Sequence, residues 1–132
     1  VNSLRSSGIA HIVHMIIGLP GETISDYTAT ARYIAQSGAS GIKISLLHIL
    51  KDTDLYADYC NGLFKAMTIE DYLAAIGAIL PVLPENMVIH RLTGDGPKNI
   101  LAAPLWTADK KRVLNTLHHY LKENKIYQGK DL

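Results

Sequence analysis

A single cysteine, Cys60, is the first constraint on what this chain does. It excludes a cluster held by several cysteines of these residues, because an iron–sulfur cluster needs three or four thiolates. Cys60 sits in a polar stretch between Tyr59 and Asn61 and reads as an ordinary half-buried thiol. One cysteine also agrees with a reducing compartment, so a cytoplasmic location is expected. Long apolar runs are missing too: none approaches the ~20 residues a membrane-spanning helix needs. The stretch Val1 to Gly8 is polar and does not resemble a signal peptide. Charge of one sign is likewise absent. Thirteen Lys and Arg against twelve Asp and Glu leave a net +1, which argues against strong non-specific affinity for nucleic acid while leaving a local grip on RNA open.

What remains is 132 residues, 48% of them hydrophobic, enough for one core. Strand and helix signals alternate to the end with no repeat and no low-complexity linker, which indicates an α/β fold. Ile12 to Ile17 is rich in Ile and Val, as expected of a parallel strand covered on both faces. It stops at Gly18-Leu19-Pro20-Gly21, where glycine permits positive φ and close backbone approach and Pro20 stiffens the loop. Thr23-Ile24-Ser25-Asp26 then forms a capping box, and Ile24, Tyr27, Ala31, Ile34 and Ala35 follow at helical spacing to Gly38. Strand, tight loop and helix make half of a βαβ unit, whose ligands sit at the carboxyl ends of strands. As a sequence pattern, Gly-Leu-Pro-Gly serves equally as a plain turn.

A second strand is expected from Gly41 to Leu47, with Ile42, Ile44 and Leu46 on one face. After a polar excursion through Asp52, Asp54, Tyr56 and Tyr59, Thr68 and Asp71 open a helix with an Ile69, Tyr72, Leu73, Ile76, Ile79, Leu80 stripe that Pro81 and Pro84 close. Met87 to Leu92 reads as a third strand. Ala108 to Lys122 reads as a last amphipathic helix with Val113, Leu114, Leu117, Tyr120 and Leu121 inward.

His-x-Ile-x-Gly-Leu-Pro-Gly-Glu-Thr, from His14 to Thr23, resembles the cofactor-contacting strand and loop of radical S-adenosylmethionine (SAM) enzymes. Four further strings recur in order: Gly41 to Lys51, Val88 to Pro97, Ala103-Pro104-Leu105-Trp106 and Gln128-Gly129-Lys130. Together they resemble the C-terminal part of a subfamily described as predicted Fe-S oxidoreductases. The resemblance implies the last βα units of a partial (β/α)6 barrel over 1–85, and a C-terminal strand and helix over 86–132, packed in the same domain. It implies a 4Fe-4S cluster that donates an electron to SAM, cleaving it to methionine and a 5'-deoxyadenosyl radical that abstracts hydrogen from substrate. The cluster ligands are absent from this chain. Val1 to Gly8 reads as the end of a helix, an odd start for a domain, so a fragment inactive alone is expected, with the missing N-terminal part of the enzyme as its partner.

By the resemblance, Ile16, Gly18 and Pro20 contact SAM, and Leu47 and His48 lie near adenine. The period of two puts His14, Ile16 and Gly18 on one face and Val13, Met15 and Ile17 against helices. His14 replaces the motif's usual glycine and reads as a satisfied core histidine. His90, Arg91, Thr93 and Asp95 form a second polar constellation, either a substrate site or a structural turn. Lys98, Lys110, Lys111 and Arg112 near Trp106 read as a solvated face. No metal ligand set is assigned. Similarity to tRNA-modifying groups makes a tRNA base one candidate substrate, with a small metabolite beside it.

Two other classes compete. In one, His14, His48 and His90 with Asp95 supply zinc-binding residue types for a metal-dependent hydrolase barrel. Spacing opposes it: His14 lies four residues before Gly18, about 13 Å at ~3.3 Å per residue, whereas His48 lies past its own strand. In the other, the chain is a non-catalytic interaction fragment whose exposed first strand drives self-association.

Overall fold

The computed structural model describes residues 11–92 and 100–132. The helix end expected at Val1 to Gly8 and the turn at Thr93 to Pro97 lie outside them. Strand β1 spans Ile12–Ile17, and Ser40 ties its start to the next strand, its N–H and hydroxyl both donating to the His11 carbonyl at 2.9 and 2.7 Å. Helix α1, Ile24–Gln36, begins at the expected capping box. The Thr23 N–H donates to Asp26 Oδ2 at 2.8 Å, and the Asp26 N–H donates back to Thr23 Oγ1 at 3.4 Å, so two otherwise orphaned amides are satisfied. Strand β2, Gly41–Leu46, pairs parallel with β1 from Ile12 against Gly41 to Ile17 against Leu46.

A two-residue strand β3, Ile49–Leu50, and a short helix α2, Asp54–Cys60, occupy the polar excursion. Helix α3, Ile69–Ile79, opens with Asp71 N–H donating to Thr68 Oγ1 and passes into a 3₁₀ turn, Leu80–Val82. Strand β4, Val88–Arg91, returns parallel beside β2, giving the order β1-β2-β4. Strand β5, Leu101–Ala103, pairs antiparallel with β3, and helix α4, Lys110–Glu123, closes the fold. The architecture is α/β, with the three expected strands in one sheet and a small second sheet added.

One face of the three-stranded sheet is dry. Met15, Ile17, Ile42, Ile44 and Leu46 meet Tyr27, Ala31 and Ile34 of α1 and Tyr72, Leu73, Ala75, Ile76 and Ile79 of α3, with Val113 and Leu117 of α4 in the same cluster. Each such aliphatic side chain contributes about 1.5–3 kcal/mol on burial. The expectation that β1 is covered on both faces does not hold among the described residues. Met15 and Ile17 are 4% and 0% exposed, whereas Ile12 and Ile16 are 44% and 50% exposed.

The C-terminal tail explains its own motif. Gln128 Nε2 donates to the carbonyls of Pro84 and Met87 at 2.6 and 2.7 Å, the Gly129 N–H donates to Leu80 O, and the Asp131 N–H donates to Pro81 O. Gly129 has φ +83, and a Cβ there would sit 2.7 Å from Glu85 Cγ. The tail therefore straps the turn that launches β4.

Tyr72 is fully buried, packs against Trp106 with ring centroids 5.3 Å apart and planes tilted by 50°, and donates its hydroxyl to the Leu92 carbonyl at 2.8 Å. Burial pushes this phenol well above its ordinary range. The folded state thus holds the proton more tightly than the unfolded state, so this stability is intact below about pH 10 and is lost as pH rises further. Tyr72→Phe is expected to cost about 1 kcal/mol at neutral pH and to flatten the alkaline loss, read by thermal melts from pH 7 upward; an unchanged alkaline slope would count against the assignment.

Candidate functional site

The loop after β1 is held at both ends. Gly18 adopts φ +90, and its N–H donates to the Tyr27 hydroxyl at 3.0 Å, so the helix that follows the loop pins the residue that begins it. Leu19 to Glu22 is a β-turn closed by the Glu22 N–H donating to Leu19 O at 3.2 Å, with Pro20 at its second position and Gly21 at φ +82 in its third, the type II arrangement. Burial raises the Tyr27 pKa above its ordinary value; the Gly18 N–H opposes this, and Glu22, Asp26 and Asp71 add to it. The phenol stays protonated.

Opposite the loop runs the segment before α3. Trp106 Nε1 donates to the Met67 carbonyl at 3.0 Å, and a Cβ on Gly18 would meet Met67 Cβ at 3.7 Å. Between the two segments lies a cleft of about 350 Å³ lined by Gly18 to Glu22, Tyr27, Leu63 to Met67 and Asp71. Glu22 Oε1 is buried there without a hydrogen-bond partner among the described residues. Trp106 and Tyr72 thus act as braces for this end of the sheet.

Gly18 and Leu47 lie side by side at the ends of β1 and β2. Ile16 stands on the open face of β1 opposite Ser45, and a Cβ on Gly18 would meet Leu46 Cδ1 at 3.3 Å and Leu47 Cβ at 3.8 Å. The bare Cα of Gly18 therefore lets the loop pack close against Leu46, Leu47 and Met67. Because Gly18 spends its N–H on Tyr27, it offers a ligand only its Cα surface and carbonyl. Pro20 is exposed on the turn, and Leu47 and His48, both half-buried, follow the end of β2.

Two sequence expectations are corrected. His14 is an exposed residue on the open face, not a core histidine, because among the described residues nothing packs on that face of β1. Cys60 is exposed at the end of α2, not half-buried. His90 is also exposed, and it lies over the start of β2: a Cβ on Gly41 would come 2.7 Å from His90 Nε2. Of its expected partners, Arg91 is the last residue of β4, while Thr93 and Asp95 lie outside the described residues. From Gly41 to Leu47 is six residues, about 20 Å of strand, so His90 and His48 do not converge on one metal. Among the described residues no three His, Cys, Asp or Glu side chains are grouped to hold a metal ion. Lys110, Lys111 and Arg112 are exposed at the start of α4, as expected of a solvated face, and Lys98 lies outside the described residues. Sequence reasoning missed Lys43, whose signal was its place in the alternation of β2.

Residues 39–123 match the model of the Radical_SAM C-terminal domain, more than half of the chain. The chain belongs to the radical SAM family. The uncharacterized protein YtqA of Bacillus subtilis is 38% identical over 130 residues, and protein YhcC of Escherichia coli is 30% identical over 128. These matches take in 98% and 97% of the chain but 40% and 41% of the relatives, so the chain spans about two fifths of their length. Among solved structures, archaeal Methanocaldococcus infernus Elp3 with an N-terminal deletion superposes with a TM-score of 0.77 over 95% of this chain and 29% of that one. At 18% identity, this shows a shared fold.

Intact radical SAM enzymes carry SAM and a 4Fe-4S cluster. The cluster does not fit these residues, since Cys60 is the one cysteine of the sequence and stands exposed on α2. Tyr27→Phe is expected to free the Gly18 amide, raising its hydrogen exchange and costing about 1 kcal/mol, while Gly18→Ala adds backbone strain of about 1–3 kcal/mol. Unchanged exchange at Gly18 in Tyr27→Phe would contradict the pinning role.

Proposed function

We propose that these residues form the C-terminal wall of the barrel of a radical SAM enzyme, with Ile16, Gly18, Pro20, Leu47 and His48 against the cofactor. The observation that carries this reading is the half-exposed Ile16 beside a positive-φ glycine at the carboxyl end of a parallel strand. Among the described residues nothing covers this face of β1, and a parallel strand ordinarily has both faces covered. SAM, when bound, supplies the hydrogen-abstracting radical; the cluster that reduces it is held by other residues of a longer protein. The chain's own part is to bind and orient. Ile16 and Leu47 offer apolar surface, Gly18 gives close approach, and the Tyr27 hydrogen bond and the Pro20 turn hold the loop ready, which lowers the ordering cost of binding.

The partner in this reading is the remainder of the enzyme, which pairs with the outer edge of β1. That edge has no strand against it among the described residues. The isolated chain is inactive, and it self-associates through that edge.

The test uses the full-length protein, reconstituted without oxygen. Ile16→Asp is expected to weaken SAM binding at least about tenfold by burying an unpaired charge against the ligand, and to lower 5'-deoxyadenosine formation with it. Tyr33→Ala, on the exposed side of α1, is expected to leave both unchanged. Equal SAM affinity in Ile16→Asp and the parent protein would overturn the assignment.

A further inference from the structure

Lys43 lies at the middle of β2 and belongs to its open face, because Gly41, Lys43 and Ser45 alternate with the buried Ile42, Ile44 and Leu46. On β1 its register partner is His14. On the other side the register slips between Ile42 and Lys43: Ile89 faces Ile42, but Arg91 faces Lys43. A bulge of this kind sets two residues of one strand against one of the other. The backbone of His90 and Arg91 therefore stands at the level of Lys43, while the His90 ring leans over Gly41, two residues toward the start of β2.

Three strands side by side thus bring His14, Lys43 and the register position of Arg91 to one level, with the His90 ring one step below it over Gly41. Apolar residues flank it, with Ile16 and Leu47 toward the loop and Ile12 and Val88 toward the strand starts. No residue of the open face in β1, β2 or β4 is acidic. Lys43 has no ion-pair partner among the described residues. Lys43 is half-exposed here; inside a barrel it would be a cation with Ile12 and Val88 on one side and Ile16 and Ser45 on the other, where a charge left without a counter-charge is strongly unfavourable.

We infer that this row seats an anionic group of the substrate, a carboxylate or a phosphate. The inference rests on the reading that the open face is the barrel interior. It places the anion on the Lys43 level, two residues down β2 from Ser45, with the rest of the substrate extending toward Ile16 and the cofactor seat. Lys43 acts as the point charge and His14 and His90 flank it as hydrogen-bond donors.

The test titrates full-length protein carrying isotope-labelled histidine and lysine with inorganic phosphate and, separately, with acetate. Saturable shifts of the His14, Lys43 and His90 signals are expected, weakened at least about tenfold in Lys43→Met and unchanged in Lys122→Met on the far end of α4. A response to phosphate alone identifies a phosphorylated substrate, and comparable responses identify a carboxylate. No saturable shift, or an equal response in Lys43→Met, overturns the site. The two readings fail separately: if Ile16→Asp still weakens SAM binding while phosphate and acetate produce no shift, the barrel wall stands and the anion seat falls.

Discussion

A parallel strand ordinarily has both faces covered, and among the described residues this sheet has one. From that constraint the rest of the structure follows. The even face of β2, Ile42, Ile44 and Leu46, and the odd face of β1, Met15 and Ile17, are sealed by α1 and α3. Their alternates, Ile12, His14 and Ile16 with Gly41, Lys43 and Ser45, form a second face that keeps the side-chain chemistry of an interior while standing open. Half-exposed isoleucines and a lysine with no acidic neighbour among the described residues make up the surface that the proposed reading sets against the rest of a barrel. Membership of the radical SAM family and a span of about two fifths of the curated relatives agree with that reading.

The loop at Gly18 owes its rigidity to parts far along the chain. Tyr27 fixes Gly18 from α1, while Trp106, from beyond β5, fixes Met67 on the opposite side of the cleft. Tyr72 links the two regions by packing at a tilt against Trp106 and holding the Leu92 carbonyl at the end of β4. Polar groups in these braces are satisfied, so the loop is set before any ligand arrives. The same economy appears at the tail, where Gln128 and Gly129 close the turn before β4.

Much of this was legible in the residues. The bounds of β1, the Thr23 capping box and the stripe of α3 carry local signals of period and capping, and the structure reproduces them. Strands β3 and β5 carry no such signal: two and three residues long, they exist because Ile49 and Leu50 meet Ala103 and Leu101 across the chain. Helix α2 has a Thr53 cap but no buried residue, so no apolar stripe announced it. His14 was misplaced because periodicity tells which residues share a face and not whether a second layer covers it. Lys43 was passed over for the complementary reason: its neighbours, His14 and the bulged pair at His90 and Arg91, are adjacent only through register.

The central claim is that the open face and the outer edge of β1 belong to the interior of a longer protein's barrel. Hydrogen exchange at the β1 amides, compared between the isolated chain under monomeric conditions and the full-length protein, tests it most directly. Amides of Ile12–Ile17 that point away from β2 should exchange rapidly in the isolated chain and become strongly protected in the full-length protein. Equally rapid exchange in both would contradict the account.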